Sequence, residues 1–344
     1  MAATRTTRWT NSPTTLAVAV AMLAATLLSA CGGASGSTRS LSLVAFSVPK
    51  PAYDDLQKNF AASKDGKGTT WKSSYGPSGD QARSVIAGLK ADYVGFSLAS
   101  DMTKLVDAGL VDEGWNSGPT KGIVSTSVVV IAVRKGNPKH INGWADLVKP
   151  GLKIVTPNPG SSGSARWNVL AAYAGVTADG ASDAQAQDYL KKYYANVVSL
   201  PASGREATSA FVGGTGDVLI SYENEAISAR QAGQPVDYVI PDTTIKIENP
   251  GAVTKKADGK AENFLDYVIS DDGQKVFAAH GFRPVNPSIS PGTVKGANDP
   301  ADPFPAVKKL VTIADLGGWS TVSKKFFDPK TGIVTKIQDS SGVS

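Results

Sequence analysis

Three times along this chain a β-type run is followed by Ser-Gly and then by an amphipathic helical stretch, at Ser78-Gly79, Ser162-Gly163 and Ser203-Gly204. Repeated strand–turn–helix units restrict the fold to the α/β class. They restrict the chemistry as well. A helix start leaves its first N–H groups without intrahelical partners and carries roughly half a positive charge, so three such ends gathered at one point would hold an ionised oxyanion with no lysine touching it. Serine is a favoured N-cap, and glycine beside it lets a ligand approach the backbone.

Spacing supports the helices. The apolar residues after Ser78 are Ala82, Val85, Ile86 and Leu89, and those after Ser162 are Trp167, Leu170, Ala171 and Ala174. Both sets step i, i+3, i+4, i+7, as expected of a helix laying one stripe on a sheet, while Ala207, Ala210 and Phe211 after Ser203 fit in part. A single Ser-Gly reads equally as an ordinary cap. Three in one chain point further, although spacing alone does not bring them together in space.

The N-terminus carries the second signal. Arg5 and Arg8 precede an apolar stretch from Leu16 to Leu28, which runs into Leu28-Ser29-Ala30-Cys31-Gly32. A basic start, a short apolar core and small residues before a cut site describe a secretory leader over residues 1–31. Leu-Ser-Ala-Cys resembles the bacterial lipobox, which implies acylation of Cys31. Cys31 is the only cysteine, so an intramolecular disulfide is excluded. Residues 32–40, rich in Gly and Ser, read as a flexible tether. The chain is thus expected outside the cytoplasmic membrane, held there by lipid. Without the leader it has 33 basic and 30 acidic residues, and this weak excess with no Lys/Arg-rich run argues against a nucleic-acid surface.

Beyond the tether, strand and helix signals alternate. Leu41 to Phe46, Thr69 to Tyr75, Tyr93 to Phe96 and the long β-branched run Ile123 to Val133 read as strands, with helices at Pro51 to Phe60, after Ser78 and at Asp101 to Ala108. A second series follows. It has strands at Lys153 to Val155, Val197 to Leu200, Val218 to Ser221 and Tyr238 to Ile240, and helices at Trp144 to Val148, after Ser162, at Ala184 to Tyr194, after Ser203 and at Glu223 to Gln231. The alternation predicts largely parallel pairing. An extended piece beyond Ile245, helices at Lys260 to Ile269 and Asp272 to Ala279, and a less regular tail complete the chain. Two series joined by one long strand, with the C-terminal part returning, predict two lobes around a cleft: residues 41–127 with 241–344, and residues 128–240.

The run Thr156-Pro157-Asn158-Pro159-Gly160-Ser161-Ser162-Gly163-Ser164-Ala165-Arg166-Trp167-Asn168 resembles the sulfate- and thiosulfate-binding proteins of bacterial ABC importers. The likeness continues through Val133-Arg134-Lys135-Gly136-Asn137-Pro138, Gly216-Asp217-Val218-Leu219-Ile220, Glu223-Asn224-Glu225-Ala226, Phe282-Arg283-Pro284 and Gly317-Gly318-Trp319. It implies a two-lobed periplasmic binding protein of the type II, Venus-flytrap kind. Sulfate would lie in the closed cleft, held by uncharged donors, and an ABC permease would read the closed shape. By this resemblance Ser78 belongs to the serine loop of the first lobe. Ser162 would give its hydroxyl, Gly163 and Ser164 their amides, and Gly204, before Arg205, another amide. Ser47, ending the first strand, falls where the family uses a backbone N–H. Arg166 and Arg205 are read as bracing groups behind the ligand. No cofactor or metal is expected, and the protein is expected to be a monomer.

Two residues depart from the family pattern. Tyr222 stands where the family has a tryptophan, and its phenol brings an acceptor lone pair as well as a donor. Asp80 replaces a lysine, and a carboxylate facing the site would repel a dianion. Sulfate near neutral pH has no proton to give, so an all-donor cavity suits it, whereas hydrogen phosphate wants an acceptor. Phosphate, thiosulfate, molybdate or tungstate therefore stay open as alternatives. A polyamine would need clustered carboxylates and aromatics; Glu223 and Glu225 read instead as a solvated helix face. An exported hydrolase would need a base beside a serine, and past the leader only His140 and His280 are available, with no Gly-x-Ser-x-Gly elbow.

Overall fold

The computed structural model describes residues 39–341. The expected leader, Cys31 and residues 32–38 of the tether lie outside the described residues. Strand β1 (Arg39–Phe46) is followed by α1 (Lys50–Ala62), β2 (Thr69–Gly76), α2 (Ser78–Ile86), β3 (Tyr93–Gly95), α3 (Ala99–Asp107) and β4 (Ile123–Arg134). A 3-10 helix at Trp144–Val148 leads to β5 (Ile154–Val155), α4 (Gly163–Ala178), α5 (Asp183–Ala195), β6 (Val197–Ser199), α6 (Gly204–Val212), β7 (Val218–Tyr222), α7 (Glu223–Gln231) and β8 (Val236–Val239). The chain then returns through β9 (Thr243–Val253), α8 (Lys260–Ile269), α9 (Asp271–Ala279), β10 (Lys309–Val311), α10 (Gly318–Phe327) and α11 (Ile333–Ser341).

The strands form one mixed sheet in the order β2-β1-β3-β9-β4-β7-β5-β6, with β10 beside β9 and β8 beside β4. The short βα strands pair in parallel, as expected. The two long strands differ: β4 runs antiparallel to β7, β8 and β9, and β9 runs antiparallel to β3 as well, while pairing in parallel with β10. The expectation of largely parallel pairing fails because strands that carry the chain out of one group and back into it must run in opposite directions. Along β4 the partner changes at one step. Val128 pairs with Lys246 of β9, whereas Val129 pairs with Tyr222 of β7. The run from Val124 to Val133 is buried throughout, which explains why it is β-branched without alternation.

The described residues form a single compact unit with its own core. Its centre is α4, buried along most of its length, including Trp167, Leu170, Ala171, Ala172 and Ala174. A helix apolar on nearly every side belongs inside a core. Gly175 lets it seat there, since a Cβ at that position would lie 2.1 Å from the Trp144 indole. Two local expectations fail. Helix α2 ends at Ile86, and Gly88, with φ +108°, turns the chain, so Ile86 and Leu89 stay exposed instead of extending the apolar stripe. The tail is more regular than expected. Gly317 and Gly318, both at positive φ, launch α10, whose Trp319, Val322 and Phe326 return to the core and stack Trp319 edge-on against Trp167.

Candidate functional site

The three Ser-Gly turns meet. The Gly79 N–H of α2 donates to the Ser161 carbonyl, beside the start of α4, at 3.2 Å. Gly163 lies against the segment after β3, so close that a Cβ on it would be 2.6 Å from Ser97. Gly204 lies against Ser164 and Val48, and a Cβ there would be 2.8 Å from Ser164 Oγ. The starts of α2, α4 and α6, together with the loop after β1, therefore surround one place. All four approach it from the C-terminal ends of strands, where α/β folds bind ligands.

The caps divide into two kinds. Ser162 Oγ accepts from Ala165 N at 3.4 Å and Ser203 Oγ from Glu206 N at 3.2 Å, both ordinary N-caps. Ser78 does not cap. Pro77 holds that position, and Ser78 Oγ instead donates to Asp101 Oδ2 at 2.7 Å while accepting from Ser97 N at 3.0 Å. Its hydroxyl hydrogen is thus committed to a carboxylate that is itself buried and also holds Lys104 Nζ at 2.8 Å. The Ser162 hydroxyl, by contrast, donates to no acceptor among the described residues.

Four amides at this place, on Gly163, Ser164, Gly204 and Arg205, find no acceptor among the described residues. Gly163, Ser164 and Gly204 are buried. Buried backbone N–H groups are almost always paired, so a cluster of unpaired ones marks where an acceptor is meant to sit. Ser47 reaches the same region but differs. Its N–H donates to the Gly76 carbonyl at 3.0 Å, extending the β1–β2 ladder, so the donor expected of it is already engaged.

Tyr222 ends β7 and is fully buried. Its hydroxyl lies 2.7 Å from Ser97 Oγ. Burial pushes the phenol well above its usual pKa, and Ser97, Ser164 and Asn249 offset part of that rise. The side chain is held in place from behind. Glu223, the next residue, pairs with Arg283 through both carboxylate oxygens, at 2.6 and 3.0 Å, and thereby joins the Glu-Asn-Glu and Phe-Arg-Pro motifs. Burial raises the Glu223 pKa against the pull of Arg283. Neither Glu223 nor Glu225 lies on a solvated face; both are buried, contrary to expectation, because each is matched by an arginine.

The two bracing arginines occupy different settings. Arg205 Nη2 reaches the Val48 carbonyl at 2.9 Å and Glu225 Oε1 at 2.7 Å, linking the loop after β1 to α7. Arg166 Nε donates to the Pro159 carbonyl at 3.1 Å and its guanidinium lies over Phe327, so it fixes the loop that carries Ser162. Burial lowers its pKa, with Asp101 acting in the opposite direction. Asp80 turns to Arg83 on the surface. Of the two histidines, His280 pairs with Asp55 and His140 occupies a positive-φ turn, and neither touches a serine.

Sequence reasoning missed Ser97, Asp101 and Asn249, and placed Trp167 in an apolar stripe and in the family-like run without giving its indole a partner. Trp167 Nε1 donates to the Ser97 carbonyl at 2.9 Å, and Asn249 Nδ2 reaches the same oxygen at 3.3 Å. One signal for Ser97 was present, since it lies two residues past the end of β3, at the same kind of strand end as the other site residues. Nothing in the local sequence of Asp101 points to Ser78.

The profile of the bacterial extracellular solute-binding protein family matches residues 41–283. A sulfate-binding protein of Synechococcus elongatus is 39% identical over 339 residues, covering 93% of this chain and 95% of its own. A thiosulfate-binding protein of Pseudomonas aeruginosa is 36% identical over 313 residues, with 87% and 92% covered. Among solved structures, the sulfate-binding protein SubI from Mycobacterium tuberculosis superimposes with a TM-score of 0.79 at 46% identity, over 84% of this chain and 100% of that one.

Proposed function

This chain belongs to the bacterial extracellular solute-binding protein family, and on that premise we propose that it captures sulfate outside the cytoplasm and hands it to an ABC permease. The observation that carries this reading is the cluster of amides on Gly163, Ser164, Gly204 and Arg205, gathered from two helix starts with no protein acceptor among the described residues. The Ser162 hydroxyl adds a fifth donor. Each hydrogen bond from such a group to a charged oxygen contributes about 1.5–3 kcal/mol, the scale needed to offset dehydration of a dianion. The starts of α2, α4 and α6 add their partial positive charge, and Asp80 faces away. We read residues 41–127 with 241–344 as one lobe and 128–240 as the other; the change of partner at Val128 and Val129 of β4 supports that division. Cys31 is the proposed lipid attachment point, and the protein acts as a monomer that binds its ligand without transforming it.

A protonated oxyanion such as hydrogen phosphate is the second reading, and one observation favours it. Because Ser78 gives its hydrogen to Asp101, its oxygen offers a lone pair where sulfate would want a donor. Calorimetric titration with sulfate, thiosulfate, molybdate and phosphate separates the two. Sulfate affinity is expected to be flat between about pH 5 and 8, since amides and hydroxyls do not titrate there. Phosphate binding more tightly than sulfate would overturn the ligand assignment.

A further inference from the structure

We propose that the face around the start of β1 is a docking surface for an anionic lipid bilayer, an inference that rests on the reading of Cys31 as the lipid attachment point. Among the described residues only four large apolar side chains are strongly exposed, and one of them, Leu89, lines this face. Leu89 and Lys90 are shared by two adjoining hollows. One continues past Ser40 and Lys72, and the other past Lys255 and Lys256. No carboxylate lines either hollow. Lys72, Lys255 and Lys256 make no ion pair among the described residues, and Lys90 comes no nearer than 3.8 Å to Asp92, whose carboxylate is buried against Ser42 N.

Four ammonium groups around an exposed leucine side chain match the chemistry of a headgroup layer. Lysine heads reach phosphates while their stems and the apolar side chain enter the boundary below. The chain itself brings this face to a membrane. The eight peptide steps from an acylated Cys31 to Arg39 span at most about 28 Å, whatever their path. The binding site lies elsewhere. Strand β1 runs from Arg39 to Phe46, beside Ser47, a rise of roughly 25 Å, and α2 likewise runs from Ser78 away toward Ile86. A protein resting on this face holds its helix starts toward the medium from which the ligand arrives.

The test uses the compact unit Thr38–Ser344, which carries its own core and lacks Cys31, in co-sedimentation with phosphatidylglycerol-containing or pure phosphatidylcholine vesicles at low and high salt. Partition into the anionic vesicles only, lost in high salt, is expected. Each lysine near such a surface contributes a factor of about five, so Lys90→Gln with Lys255→Gln lowers partition about 25-fold. Leu89→Ser lowers it without changing the salt dependence. Unchanged sulfate titration of these variants shows that their fold is intact. Equal binding to both vesicle types, no binding at low salt, or full binding by the double lysine variant overturns the proposal. So does a dimer in sedimentation equilibrium that Leu89→Ser abolishes, or a loss of transport by the lysine variant whose vesicle binding is unchanged; these would assign the face to a second copy or to the permease. Failure of acylation leaves all these results untouched, because it is read separately from the mass of the membrane-extracted protein.

Discussion

Replacing Gly163 by alanine tests whether the start of α4 must close against the segment after β3. Gly163 is not at positive φ, so alanine brings no backbone strain there, and the whole effect comes from the added methyl. That methyl would lie 2.6 Å from both Cβ and Oγ of Ser97 and 2.9 Å from Leu98 Cγ. Carbon contacts prefer about 3.5–4 Å, so the two segments must part by roughly 1 Å. Such overpacking costs about 1–3 kcal/mol. A shift of that size also takes the Gly163 and Ser164 amides out of hydrogen-bond range of any group seated against Ser97. Gly163→Ala is therefore expected to weaken sulfate binding about 5- to 150-fold in calorimetric titration. Gly118→Ala, where a methyl meets nothing within 4 Å, is the control and should bind as the parent does. If Gly163→Ala binds within about twofold of the parent at unchanged thermal stability, closure at this contact is not part of binding and the reasoning fails.

Three further outcomes are expected. Ser162→Ala should weaken sulfate binding by about 1.5–3 kcal/mol and, as a lost N-cap of α4, cost about 0.5–2 kcal/mol of stability, whereas Ser78→Ala, which strands Asp101 and Ser97 N, should cost about 1–3 kcal/mol of stability with the smaller effect on binding; paired calorimetry and denaturant melts read both, and a larger binding loss for Ser78→Ala would refute the assignment of the two hydroxyls. Arg205→Met leaves Glu225, whose pKa burial already raises against Arg205 and Thr208, without its partner, so a loss of about 3 kcal/mol is expected in urea melts, and an unchanged midpoint would show the pair to be idle. Lys325 and Tyr173 hold the Asp183 carboxyl below its ordinary pKa, so the stability it gives is complete above the unfolded value near pH 4 and is lost as pH falls through the lowered one. Asp183→Asn should accordingly melt below the parent at pH 5–7 by no more than about 1 kcal/mol, with the gap narrowing under acid; a gap that widens below about pH 4 would contradict the shift.

Much of this arrangement was legible in the residues because local rules governed it. The β-branched run at Ile123–Arg134 became a buried strand, and Ser162 and Ser203 became caps, through preferences that act within a few positions. Ser78 shows where such rules stop. Its pattern is the same, but Pro77 takes the cap position, and the hydroxyl finds a stronger acceptor in Asp101, a residue joined to it only by the packing of α2 against α3. Glu223 and Glu225 follow the same logic. Their helical spacing suits a wet face, and only the distant Arg283 and Arg205 make their burial tolerable. The direction of β9 was hidden for a related reason, since antiparallel pairing with β3 and β4 depends on strands far away in the chain. Helix α10 was legible and overlooked: Trp319, Val322 and Phe326 stand at helical spacing behind two glycines.

Strand β3 is three residues long and lies between β1 and the last part of β9, where Tyr93 pairs with Val253. Synthesis runs from the amino end, so β1, β2 and β3 are made long before that partner arrives. Until it does, Tyr93–Gly95 forms an open sheet edge, the kind of feature that invites pairing with a neighbouring chain. The segment from the second half of β4 through β8 has no such wait, because its strands pair only with one another. The stretch made first is thus completed only on the arrival of β9, and the hazardous interval for this molecule lasts until then.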